Sequence, residues 1–177
     1  MRLDGDDASV VRYHVLFVLG LFLLSPRLRP LLWQVTAFTV AHSITLALSL
    51  YGVVSLPASI VEPLIALSIA FVAVENICST RLRAWRVGVV FLFGLVHGMG
   101  FAGALKDAGL PRGRYALALV GFNVGVELGQ LTVIAAALAV VGWWRRRDWY
   151  RRVIVVPASS AIAAIAVCWT IVRIVAA

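Results

Sequence analysis

The sequence predicts an all-α polytopic membrane protein, one integral membrane domain over residues 1–177 with six transmembrane helices. Three observations lead there. Hydrophobic residues make up 62% of the chain and charged residues 14%, against about 25% charged in a soluble domain. The apolar residues fall into six blocks near the roughly twenty residues that cross a bilayer core as helix. A backbone in lipid must satisfy its polar groups internally, so each block reads as helix.

The blocks run about 10–25, 31–53, 58–79, 87–105, 115–143 and 153–176, and the residues between them break helices. Ser25-Pro26-Arg27-Leu28-Arg29-Pro30 separates the first two, and the stretch from Gly52 to Pro57 makes the next short turn. Arg81-Leu82-Arg83-Ala84-Trp85-Arg86 ends the third block, and Gly109, Pro111 and Gly113 follow the fourth. Between the fifth and sixth, the run 143–152 combines three tryptophans and a tyrosine with five arginines, as at a membrane interface. No loop is long enough to form a second domain.

Lys and Arg total 16 against 8 Asp and Glu, a formal charge of +8. In a soluble chain that balance would suggest nucleic acid, but here the basic residues lie between apolar blocks and read as topology signals. No nucleic-acid partner is expected. Ten Lys and Arg follow helices 1, 3 and 5, and five lie on the other side, so the positive-inside rule places the first set in the cytoplasm and both termini outside. Arg173 is expected to snorkel to the outer interface. Arg2 is followed by Asp4, Asp6 and Asp7, unlike a cleavable signal peptide, so the first helix is expected to insert uncleaved. Cys78 and Cys168 have no Cys-x-x-Cys spacing and are expected to be free thiols.

All three histidines, His14, His42 and His97, and all three glutamates, Glu62, Glu75 and Glu127, fall inside expected helices. An ionisable group in lipid costs several kcal/mol unless paired, so these residues are the functional candidates. His14 and Glu62 belong to the outer half, and His42, His97 and Glu127 lie near the midplane. At about 100° per residue, Gln34, His42, Thr45 and Ser49 share one arc of helix 2. Asn123, Glu127 and Gln130 share one arc of helix 5, with Gly121, Gly125 and Gly129 roughly opposite, so helix 5 is expected to be buried on two sides. Gly94, Gly98, Gly100 and Gly103 surround His97, and helices 4 and 5 are expected to form the central pair. Glu62 and Glu75 stand 13 residues apart, ~20 Å along a helix, and cannot share one ion. Glu75 and Asn76 therefore mark a second, inner polar station, or Glu75 pairs with Arg81 or Arg86. The plainer alternatives are a histidine that only hydrogen-bonds between helices and glycines that only pack.

Four ordered segments resemble the HupE/UreJ family of hydrogenase and urease accessory membrane proteins. They are Phe38-Thr39-Val40-Ala41-His42-Ser43-Ile44-Thr45-Leu46, then Val61-Glu62-Pro63 with Val74-Glu75-Asn76, then Phe93-Gly94-Leu95-Val96-His97-Gly98-Met99-Gly100-Phe101, and Phe122-Asn123-Val124-Gly125-Val126-Glu127-Leu128-Gly129-Gln130. The resemblance implies a nickel or cobalt permease, or a metal-handling accessory protein, in a bacterial cytoplasmic membrane. It carries His42, Glu62, His97 and Glu127 over as metal-pathway residues. The family's first helix usually has an Asp-His pair, whereas here Tyr13 precedes His14, so His14 alone carries over there.

Imidazole with carboxylate suits nickel, cobalt, zinc or iron better than calcium or magnesium. The expected route for a divalent cation passes His14 and Glu62, then His42, His97 and Glu127, and leaves by Glu75 and Asn76. Gln34, Thr45, Asn123 and Gln130 are expected to orient the ligands. Two other readings use the same residues. One is an intramembrane zinc hydrolase, which lacks a His-x-x-x-His or His-Glu-x-x-His spacing. The other is a non-transporting metal-binding accessory subunit. Lipids, the metal ion, a second copy of the chain and metalloenzyme-maturation proteins are the expected partners.

Overall fold

The computed structural model describes residues 6–25, 27–107 and 112–175, and among them it is helical with no strand. Six long helices follow in order: α1 (Asp6–Leu24), α2 (Leu28–Leu50), α3 (Ala58–Cys78), α4 (Trp85–Asp107), α5 (Tyr115–Val141) and α6 (Val156–Val175). The expected breaks at Pro26, Gly109 and Pro111 lie outside the described residues. Helices α2 to α6 are each long and apolar enough to cross a membrane, whereas the described apolar part of α1 is the shorter stretch Arg12–Leu24.

Local chemistry explains the ends. Pro30 sits in the first turn of α2, where a missing N–H breaks no helical hydrogen bond. Beyond Leu50 the chain turns through Gly52 at φ 77°, a left-handed conformation that glycine adopts without strain. Pro57 leads into α3, and Ser79 closes it by donating its N–H to the Glu75 carbonyl at 2.7 Å. Before α6 comes a single π turn, Arg151–Val155, so the regular helix starts slightly later than the apolar block suggests.

Helix α1 packs against the other helices through its apolar side chains. Phe17, Val18, Leu21 and Phe22 of α1 are buried and share one core with Leu31, Val35 and Phe38 of α2, Ile69 and Val72 of α3, Val90 of α4, Ile134 of α5 and Ile162 of α6. The closest pairing is α2 with α4, in place of the expected α4 with α5. Glycine makes it possible: a Cβ on Gly94 would stand 2.5 Å from the Phe38 carbonyl oxygen, and one on Gly98 would collide with Thr45 and the His42 carbonyl. Between α4 and α5 the rings of Phe101 and Phe122 meet at 4.7 Å. Helix α5 is not buried on two sides either. Its buried residues are Gln130 and Ile134, and added Cβ atoms on Gly121, Gly125 and Gly129 would meet nothing within 4 Å. Cys78 and Cys168 are exposed free thiols, as expected.

Candidate functional site

The α2–α4 approach brings the histidines together. His14 of α1 lies 5.0 Å from His97 and 5.9 Å from His42, ring centre to ring centre and nearly perpendicular to both. His42 and His97 are fully buried. Phe38 and Phe122 lie nearly parallel to His42 at 5.9 and 6.0 Å, with interplanar angles of 21° and 14°. Phe101 approaches both His14 and His42 edge-on. The cluster is a set of imidazoles inside an aromatic box.

The hydrogen bonds are sparse. Ser68 of α3 stands 2.9 Å from Nε2 of His97, and its hydroxyl lies 2.7 Å from the Ile65 carbonyl. With the single hydroxyl proton on that shorter bond, Ser68 accepts from Nε2–H, which leaves Nδ1 of His97 with a bare lone pair. That Nδ1 has no hydrogen-bond partner, nor has either ring nitrogen of His42, among the described residues. A neutral imidazole carries one donor and one acceptor, and burying both unpaired is unfavourable by roughly 1–3 kcal/mol for each group.

The carboxylates stand apart from this cluster. Glu62 pairs with Arg173 at 2.9 Å instead of meeting a histidine, and Arg173 also reaches the Tyr13 hydroxyl at 3.4 Å rather than only snorkelling outward. Glu62 borders a cavity of about 220 Å³ with Ser49, Met99 and Gly100, the last two standing just after His97 on α4. Glu127 is half-buried on α5 and joins neither a hydrogen bond nor an ion pair among the described residues. Its neighbours on the arc diverge because α5 touches the bundle along a narrow strip. Only Gln130 reaches inward, where it accepts a hydrogen bond from Thr39 at 3.1 Å. Among the described residues, no three His, Cys, Asp or Glu side chains are arranged to hold one metal ion as placed.

Of the two alternatives for Glu75, the structure holds the ion pair: Arg86 lies 3.1 Å from its Oε2. Asn76 donates to the Gly20 carbonyl at 2.8 Å and to Ser159 at 3.3 Å, tying α3 to α1 and α6. Nearby, Arg145 donates to the Ser25 carbonyl and lies over the Phe22 ring. Burial lowers the Arg145 pKa from its ordinary value and raises that of Tyr150.

The expected ligand-orienting residues do other work. Gln34 donates to Ser25 and to the Pro30 carbonyl, Thr45 to the Ala41 and His42 carbonyls, and Asn123 to the Leu119 carbonyl. In apolar surroundings a short polar side chain satisfies itself on the carbonyl one turn back. Ser68, which does contact an imidazole, was missed. Its only signal was a lone hydroxyl within the apolar run of α3.

Five apolar helices of membrane-crossing length, packed around α1 and its touching histidines, define an integral membrane protein with an imidazole-lined interior. A family model described as HupE / UreJ protein matches residues 12–173, and the chain belongs to that family. Comparisons with curated proteins and with solved structures each found no match.

Proposed function

We propose that this chain is a permease for a divalent transition-metal ion, nickel or cobalt, in a bacterial cytoplasmic membrane. The family suggests a nickel or cobalt permease or accessory role, and the observation that favours a metal path is the pair of unbonded nitrogens on fully buried His42. Whichever of the two lacks the proton gives, with Nδ1 of His97, a second nitrogen lone pair in the centre of the bundle. In this reading all six helices span the membrane, with both termini outside. The ion is cargo: it arrives through the cavity past Glu62, passes among His14, His42 and His97, and leaves by way of Glu75 and Asn76.

Loose geometry suits that task. A closed cage of four ligands would retain the ion, whereas conduction needs sites weak enough to release it. Ser68 holds His97 in the tautomer that presents Nδ1, the role a hydrogen-bonding partner plays behind a metal-binding histidine. Glu127 takes no part in the histidine cluster here and joins the path only in another arrangement of α5.

Elemental mass spectrometry of detergent-purified protein exposed to nickel, cobalt, zinc or iron tests the site. About one ion or more per chain is expected, and its loss in a His42→Ala/His97→Ala variant. No metal in either protein would leave a structural polar core. Uptake into proteoliposomes then separates a permease from an accessory subunit that binds without moving the ion, and unchanged uptake by His97→Ala would sink the pathway. A groove of about 580 Å³ between α1 and α5, lined by His14, Phe101, Phe122 and Gln130, favours the hydrolase as second reading, because an apolar substrate would meet an imidazole there. Chelator-sensitive lipid hydrolysis would support it.

A further inference from the structure

The mechanism above leaves one buried charge unused. Arg86 of α4 is 1% exposed, and a guanidinium withdrawn from water needs a reason to be there. The geometry points to a lock: Arg86 is a resident cation that occupies Glu75, and the arginine-rich end of the ion path opens only when that pair parts. Its purpose rests on the permease reading, but its test does not.

Three arginines serve the arginine-rich end of the bundle, and they are held differently. Arg151 donates to the Asn76 and Ile77 carbonyls at 3.0 and 2.8 Å, and Arg145 donates to the Ser25 carbonyl. Both are bonded to backbone. Arg86 donates only to Asn76 Oδ1, at 3.2 Å, and faces Glu75 at 3.1 Å away from the hydrogen-bonding direction. Its Nε and Nη1, and both oxygens of Glu75, have no hydrogen-bond partner among the described residues. The pair is held by charge with little directional bonding, and Asn76 gives Arg86 a single hydrogen-bond partner. That is how a contact made to break differs from a permanent pin.

Its position fits a lock. Arg86 precedes His97 by eleven residues, ~16 Å along α4. Val90 lies between them on α4 and Val72 one turn before Glu75 on α3, and both belong to one apolar core with Phe17 and Phe38, so among the described residues an apolar layer stands between the imidazoles and Glu75. A cation that crossed that apolar layer would then meet a positive charge seated on the carboxylate it needs. Asn76 links the same point to Gly20 of α1 and Ser159 of α6, so parting Arg86 from Glu75 and Asn76 loosens four helices at once.

Accessibility tests this without any metal. In a chain carrying Cys78→Ser and Cys168→Ser, Val72→Cys places a thiol in the apolar layer. A membrane-impermeant thiol reagent is applied to oriented vesicles from the arginine-rich face. With the native pair, labelling is expected to be slow. In E75Q/R86Q, which removes both charges and leaves neither unpaired, labelling is expected to be about tenfold faster from that face and unchanged from the other. A folded double variant that labels like the native pair would overturn the lock and leave a static ion pair. If the double variant is not recovered folded, R86K carries the test. Its shorter reach loosens Asn76 while keeping the charge, so severalfold faster labelling supports the lock and a native rate overturns it. Nickel uptake by the same vesicles is a separate readout: its absence removes the permease reading and leaves the labelling result standing.

Discussion

Two helices carry the same small-residue spacing and use it in opposite ways. In α4, Gly94 and Gly98 bring the backbone of α2 so close that neither position has room for a methyl group. In α5, Gly121, Gly125 and Gly129 meet nothing within 4 Å and form one wall of the groove that reaches His14. A Gly-x-x-x-Gly pattern thus records permission for close approach, and the surrounding surfaces decide whether a partner takes it. Where it is taken, the histidine cluster forms, since the α2–α4 approach sets His97 beside the turn that carries His42.

The comparison can be broken most forcefully at Gly98. Gly98→Leu forces a side chain into the α2 backbone and is expected to destabilise by about 3 kcal/mol or more, with loss of monodisperse protein in detergent. Thermal unfolding measures it, and a variant that melts like the native chain would refute the close approach. Next comes Ser68→Ala, expected to weaken metal binding by about 10- to 100-fold with the fold retained. Competition against a metal-sensitive dye reads that change, and Ser68→Thr, which keeps the hydroxyl, is expected to recover most of it. A smaller effect is expected at the α2–α5 contact, where Thr39→Val removes the hydrogen bond to Gln130. Interhelical bonds of this kind contribute about 0.6 kcal/mol, up to about 1.7, and the melting temperature should fall accordingly. Smallest of all is Gly125→Leu, expected within about 0.5 kcal/mol of native because the added atoms enter open space. A large loss there would mean that α5 packs against something absent from the single chain.

Much of the architecture was legible from residue chemistry. Proline, glycine and arginine clusters located the helix ends to within a few residues because they act locally, through missing N–H groups, backbone freedom and charges that stay out of lipid. The meeting of His14, His42 and His97 was also foreseeable, since imidazoles on three apolar helices are better placed together than alone. Partner choice was not legible. Helical phase assigns Asn123, Glu127 and Gln130 to one arc, but only the contact with Thr39 singles out Gln130. The pairing of Glu62 with Arg173 spans most of the chain and depends on where α6 docks. Ser68 looked like any hydroxyl in a helix until α4 was packed against it.

The burial of α1 bears on how the chain is made. Tyr13, near its N-terminal end, is packed edge-on against Trp169 and bonded by Arg173, both from α6. Synthesis delivers α1 before the helices that enclose it, and α6 arrives last among them. The centre of the bundle is therefore laid down first and secured at the end, and a ribosome stalled before α6 would leave α1 without the clasp that Trp169 and Arg173 provide.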